Sequence, residues 1–370
     1  MKHIIVAAVL LLTGLSTGRV WGDNIAANTA RVPARYAITD LGSIGGTLIV
    51  PTAINDLGQV VGYSFFSDDT VRAFSWQQGK ITKLSAIAGD KASAASAINN
   101  KGQIVGTSSH AGGVFHAGGV FHAALWGKGA VVNLGSIGGG SLSGGSVQAI
   151  NDVGQILVNE VSYPDSSEAS QLNPAVQKHQ VLVCTLGSIA SGRPLGHDVV
   201  VGLGINNSGA VVGYHFGPLK HNLSGYLWKN GVFTDLGNFH PSGINASGVI
   251  VGTLKEGKQK TPIAALWKDG TVTPLRIASA PGTKGTAIND KEEVIGATDY
   301  DADFSSPHKA LLWKNGGYVD LSSSLLPKGE WTMLQPEAIN NLGQIAGYGL
   351  HKGKGAAFLM TPVDDPTIAH

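Results

Sequence analysis

Short apolar runs rich in Val and Ile, broken by Asn, Asp and Gly, recur along most of the chain. Their length and β-branching favour strands over helices. One stretch, Ala53-Ile54-Asn55-Asp56-Leu57-Gly58-Gln59-Val60-Val61-Gly62, is written seven times, centred on Asn55, Asn99, Asn151, Asn206, Asn245, Asn289 and Asn340. The spacings are 44, 52, 55, 39, 44 and 51 residues, a period that marks solenoids and propellers. Asn with Gly three residues later fits a type I turn whose fourth position tolerates positive φ. Each copy therefore reads as a tight hairpin.

A second hairpin follows in most units. Trp76, Trp126, Trp228, Trp267 and Trp313 each precede a Gly by three residues and a Leu by eight, and the Lys-Asn-Gly and Lys-Asp-Gly tripeptides among them are strong hairpin turns. Each unit thus has four strands, a to d in chain order. That predicts an all-β, seven-bladed β-propeller of four-stranded antiparallel blades. Residues 36–42 form a strand d with no a, b or c before it, and residues 356–360 a strand c with no d after it. The ring is expected to close by the N-terminal strand completing the C-terminal blade, which removes free sheet edges. Two units depart from the pattern. Residues 174–187 align with the second blade's hairpin but put Lys178 where Trp is expected, so a frayed or displaced strand c is predicted there. The sixth unit has Glu292 where the turn Gly belongs, and a Glu held at positive φ costs about 1 kcal/mol.

The stretch Phe121-His122-Ala123-Ala124-Leu125-Trp126, the stretch Leu134-Gly135-Ser136-Ile137-Gly138-Gly139 and the recurring Ile-Asn hairpin resemble the extracellular repeat proteins named for a His-Ala-Phe (HAF) motif. The resemblance spans nearly all of the chain after the leader. It implies secretion and a repeated β fold, and it brings no catalytic residues with it.

Lys2 and His3, an apolar run from Ile4 to Leu12 and small residues up to Gly22 read as a secretory signal. The expected organisation is a signal peptide over 1–22, a linker over 23–35, the propeller over 36–362 and a tail over 363–370. A secreted or periplasmic monomer with no membrane span in the mature chain follows. Lys+Arg 26 against Asp+Glu 25 leaves no basic footprint, so nucleic acid is excluded as a partner. Cys184 is the single cysteine, which rules out an intramolecular disulfide. It is placed in a strand d as a small buried hydrophobe.

Two hairpin turns per unit are tight and uniform, whereas the b-to-c and d-to-a connections vary. In an antiparallel blade these alternate between faces, so one face of the disc carries the variable loops, where binding usually sits. His110, His116, His122, His215, His221, His308 and His351 fall in b-to-c connections, and His197 and His240 in d-to-a connections. With Phe65, Tyr163, Phe216, Phe239, Tyr300 and Trp331 they suit a neutral, aromatic surface for sugars or peptides. Loops also collect polar residues for solvation alone. His197, Asp198, His240 and Glu337 enter the ring near the channel mouth and are the catalytic candidates, a His beside a carboxylate being a general base. Asp299, Asp301 and Asp303 have the alternation of a calcium loop, but Phe304 and Ala310 replace its Gly and Glu; no cofactor is expected. The repeated Asn residues are assigned to turn chemistry. The first functional reading is an exported, non-catalytic binding or scaffold protein that recognises a glycan or an extracellular or periplasmic protein through the loop face. The alternatives are a polysaccharide lyase or glycoside hydrolase at the channel mouth, and a structural surface or matrix protein.

Overall fold

The computed structural model describes residues 34–110, 120–127, 129–138, 144–162, 178–196, 199–216, 223–256, 261–278, 280, 282–298 and 309–363. Within them β1 (Tyr36–Asp40) is followed by six four-stranded sheets. Blade 1 holds β2 (Leu48–Ile54), β3 (Val60–Phe65), β4 (Val71–Gln77) and β5 (Lys80–Lys83). Blade 2 holds β6 (Ala92–Ile98), β7 (Ile104–Ser109), β8 (Phe121–Trp126) and β9 (Val132–Ile137). Blade 3 holds β10 (Gly144–Ile150), β11 (Gln155–Ser162), β12 (Lys178–Thr185) and β13 (Ser188–Pro194). Blade 4 holds β14 (Val199–Ile205), β15 (Val211–Phe216), β16 (Leu223–Lys229) and β17 (Val232–Gly237). Blade 5 holds β18 (Phe239–Ile244), β19 (Ile250–Glu256), β20 (Thr261–Lys268) and β21 (Thr271–Pro274), and blade 6 holds β22 (Thr283–Ile288), β23 (Val294–Thr298), β24 (Ala310–Lys314) and β25 (Gly317–Asp320).

Blade 7 closes the ring. It is built from β27 (Trp331–Ile339), β28 (Ile345–His351) and β29 (Lys354–Pro362), with β1 pairing antiparallel to β29 from Tyr36↔Pro362 to Asp40↔Phe358. The short β26 (Leu325–Leu326) adds a fifth strand, parallel to β1. The chain is thus a seven-bladed propeller closed by its N-terminal strand. Tyr36, 1% exposed, anchors that strand among Leu325, Trp331, Phe358 and Met360.

The seven a-to-b turns have the predicted hydrogen bond from the fourth residue to the Asn carbonyl, as from Gly58 N to Asn55 O at 3.0 Å. Glu292 keeps this geometry at φ +59°, and Lys268 Nζ meets its carboxylate at 2.8 Å. Several c-to-d turns have both central residues at positive φ, such as Asn230 and Gly231; this matches the right-handed twist of the strands. Every strand a also carries a bulge two residues before its Ile, leaving Thr52, Ser96, Gln148, Leu203, Ser242, Thr286 and Glu337 unpaired in the ladder. A bulge sharpens twist locally, as strands crowded around an axis require.

Blade 3 corrects the expected register. β12 is unbroken and pairs with β11 from Gln155↔Thr185 to Ser162↔Lys178. Its turn falls at Leu186 and Gly187, which the repeat alignment places at the end of strand d. Cys184 therefore lies in strand c, opposite Ile156, where Trp126 lies opposite Ile104 in blade 2. It fills the Trp position with a smaller side chain, 1% exposed, and burial pushes its thiol up to about 11.

Candidate functional site

On the face of the tight turns the seven Asn side chains form a closed circuit about the axis. Each Nδ2 donates to the backbone carbonyl of the next blade's Asn, from Asn55 round to Asn340 and back to Asn55, at 2.8–3.2 Å. Each Oδ1 accepts from the backbone N–H four residues on in its own turn. The turn chemistry predicted for these residues is therefore half of their work. The other half joins neighbouring blades, and all seven are buried.

The next residue of each turn makes a second ring: Asp56, Asn100, Asp152, Asn207, Ala246, Asp290 and Asn341. Side-chain Oδ1 atoms accept the backbone N–H of the preceding blade at 2.8–2.9 Å. The amides donate sideways to carboxylates, Asn100 to Asp56 and Asp152, Asn341 to Asp56 and Asp290, and Asn207 to Asp152. Strict alternation of acid and amide cannot close on an odd number, and Ala246 takes the odd place. These residues, with the Ile and Asn before them, line an axial cavity of about 190 Å³.

At the strand ends away from the tight turns, three of the predicted site residues, His122, His215 and His351, meet acids. His122 Nδ1 lies 2.9 Å from Asp90 Oδ2, whose side chain is 2% exposed. His215 Nε2 lies 3.2 Å from Asp235 Oδ1 without the alignment of a hydrogen bond. His351 has a carboxylate at each nitrogen, Asp40 at 2.8 Å and Glu330 at 3.4 Å, and its ring stacks on Trp331 at 4.6 Å. Hydrogen bonds from His351 and Lys352 lower the Glu330 carboxyl. Each His–acid contact joins residues far apart in the chain. The His197–Asp198 dipeptide that suggested such a pair lies outside the described residues.

These contacts follow the ladder between strands b and c. The rung four residues before the Trp position is polar in four successive blades: Ser64↔Arg72, Ser108↔His122, Glu160↔Gln180 and His215↔Ser224. In blade 6 the same position sets Lys309 beside Thr298, with Lys309 N donating to Thr298 Oγ1 at 2.9 Å, while in blade 5 it is Leu254↔Ile263 and in blade 7 Gly349↔Ala356. Blades 1 to 4 thus form a polar arc in which Ser64 and Ser108 are buried and donate to the Leu48 and Ala92 carbonyls, while Arg72, held by Asp68 at 2.9 Å, His122, Gln180 and Ser224 are the more exposed members.

Two aromatic candidates are corrected. Phe239 is 1% exposed and packs with Val212, Ile250 and Ala265. Trp331 begins β27 and lies in the core cluster with Phe358, against whose ring it stands edge-on at 5.6 Å. Neither ring offers contact area to a ligand, because each starts a strand a and turns into the interface between blades. Phe65 is half-buried, edge-on to Tyr63 at 5.5 Å. His110 Nδ1 meets the Gly89 carbonyl at 2.8 Å. His116, Tyr163, His221, Tyr300 and His308 lie outside the described residues, as does the side chain of Phe216.

Of the four catalytic candidates, His240 and Glu337 are among the described residues, on different blades. His240 is on blade 5 with its ring 5.5 Å from Tyr214; burial, then Lys255, lowers its pKa. Glu337 is on blade 7, at the β27 bulge, and burial raises its carboxyl to about 7. It adds to the effect of burial in raising the Tyr63 phenol of blade 1. Among the described residues no cluster of three or more His, Cys, Asp or Glu is placed to hold a metal; Asp299, Asp301 and Asp303 lie outside them. No helix among the described residues is long and apolar enough to cross a membrane.

Comparison with known proteins supports the fold. No protein-family model matches the chain, and no curated protein does, so the resemblance to the HAF repeat proteins gains no support there. The β-propeller domain of the Trilobed protease from Pyrococcus furiosus, described as having an open velcro topology, is similar with a TM-score of 0.53 at 9% identity, over 86% of this chain and 98% of that one. TolB from Acinetobacter baumannii gives a TM-score of 0.41 at 10% identity, over 83% of this chain and 80% of that one. The Aleuria aurantia lectin in complex with Fucalpha1-6GlcNAc gives 0.39 at 12%, over 78% and 96%. At these identities the likeness is one of fold alone, and fold does not fix function.

Proposed function

We propose that the chain is an exported, non-catalytic binding protein that recognises a glycan or an extracellular protein through its loop-bearing face. The observation that carries this reading is the polar arc of blades 1 to 4, where one rung of each b–c ladder bears a charged or hydrogen-bonding side chain. A row of such groups on a rigid scaffold suits recognition. Export rests on the charged start and apolar run of residues 2–12.

The second reading, hydrolysis or lyase chemistry at the channel mouth, draws on Glu337, whose carboxyl titrates at about 7 and so suits general acid–base work at neutral pH. Against it stands the separation of Glu337 from His240 by blade 6. A glycan array and a polysaccharide panel on the purified mature protein separate the two. Retained binding without released reducing or unsaturated ends is the expected result. Product release that disappears in Glu337→Gln would make the protein an enzyme.

A further inference from the structure

One face of blade 4 keeps polar atoms that packing does not need. His215 lies opposite Ser224, Tyr226 opposite Asp235 and Trp228 opposite Phe233. Since alternate residues of a strand share a face, His215, Tyr226, Phe233 and Asp235 lie together on one side of the sheet. The rings are in contact: Phe233 stacks on Tyr226 at 5.4 Å and 19°, and His215 stands edge-on to Phe233 at 4.9 Å. Tyr226 is fully buried and His215 is 6% exposed, yet neither the Tyr226 hydroxyl nor His215 Nε2 has a hydrogen-bond partner. Buried polar groups are nearly always paired; His215 Nε2 has Asp235 Oδ1 at 3.2 Å as a misaligned contact, whereas the Tyr226 hydroxyl has no partner, and that atom calls for an explanation.

Packing does not supply it. The residues at the Tyr226 position of the other blades are Phe74, Ala124, Leu182, Ala265, Leu311 and Phe358, none of which has a hydroxyl. The ring itself is accommodated because Gly213 lies beneath it, where a Cβ would come within 2.9 Å of Cε1. Phe233, by contrast, is 41% exposed and lies against both rings.

We propose that this face of blade 4 is a saccharide subsite, in which His215 Nε2, the Tyr226 hydroxyl and the Asp235 carboxylate bind sugar hydroxyls while the Phe233 ring swings aside to stack on the sugar's C–H face. This rests on the binding role proposed above and names its ligand. A phenol and an imidazole each offer both donor and acceptor chemistry, which matches hydroxyl groups. Asp235 Oδ1 lies 3.2 Å from His215 Nε2 with its side chain 47% exposed, so it adds an acceptor for hydroxyl groups beside the imidazole. An exposed ring beside such groups is how rings add contact area at low entropy cost.

The test is isothermal titration of the purified mature chain with the methyl glycosides of glucose, galactose, mannose, fucose, xylose and N-acetylglucosamine and with their oligomers. The wild-type protein is expected to bind at least one of them. Tyr226→Phe, which keeps the ring and its packing, should weaken that binding by about five-fold or more without lowering the thermal midpoint. Phe233→Ala, at an exposed position, should weaken it as well. Sugar binding that both variants retain in full would overturn the subsite and leave glycan recognition elsewhere on the face. Absence of binding by every sugar would also overturn the subsite, and would leave a protein partner to the broader reading.

Discussion

At the scale of single residues the chain is governed by amides that must donate and accept at once. Asn206 accepts from Ala210 N with Oδ1 and donates to the Asn245 carbonyl of the next blade with Nδ2. Aspartate matches the first role and fails the second, since a carboxylate has no donor. Asn206→Asp should therefore cost about 3 kcal/mol, read as a lowered urea midpoint with the slope unchanged. Glu337 acts through pH. Its folded carboxyl titrates at about 7 against an ordinary 4.5, because burial disfavours the charge. The folded state then holds the proton more tightly than the unfolded one, so this contribution is complete below about pH 4.5 and is lost as pH rises through 7. The loss is on the order of 3 kcal/mol. Glu337→Gln should remove that slope, and urea midpoints of both proteins from pH 4.5 to 8 would show it; parallel profiles would refute the assignment.

At the scale of elements, the hairpin is the unit and its neighbours complete it. Alternation in the second ring breaks at Ala246, where Asn207 N–H lacks the side-chain acceptor that its counterparts in the other blades have, and where Asp290 has an amide on one side alone. An amide there would fill both places. Ala246→Asn is expected to stabilise the protein by about 1 kcal/mol, seen as a raised thermal midpoint, whereas Ala246→Asp would set like charge beside Asp290 and gain less. Blade 3 makes the complementary point. Its strand c pairs fully despite lacking Trp, because backbone register along β11 and the apolar face of Leu182 and Cys184 suffice.

At the scale of the whole molecule, ring closure joins residues some three hundred positions apart. β1 docks on β29, and His351 Nδ1 meets Asp40 Oδ2 across the same seam. Tyr36 is the buried anchor. Tyr36→Ala should cost about 3–5 kcal/mol and should speed hydrogen exchange first in β1 and along β29. Uniform loss of protection would mean that the seam is not the weak point. An opened seam would also expose the β29 edge, so the variant is expected to aggregate more readily.

The repeat period, the turn type, the strand count and the closing strand were all legible in the sequence, because each rests on local chemistry: Asn and Gly at turns, β-branched runs between them, and an unmatched strand at either end. What the loop face does with its residues was not legible. Phe239 and Trp331 look like surface aromatics by their place between motifs, and burial against the next blade removes them. His122, His215 and His351 look like solvated loop residues, and acids from other strands and connections reach them. Asn55 and its six counterparts show the division most plainly. Their carbonyl oxygen bonds within the hairpin and was readable from spacing; their amide nitrogen bonds across a blade interface and was not. Local hydrogen bonding is written in neighbouring residues, whereas contacts between blades depend on how separate hairpins pack, and tertiary structure alone brings those partners together.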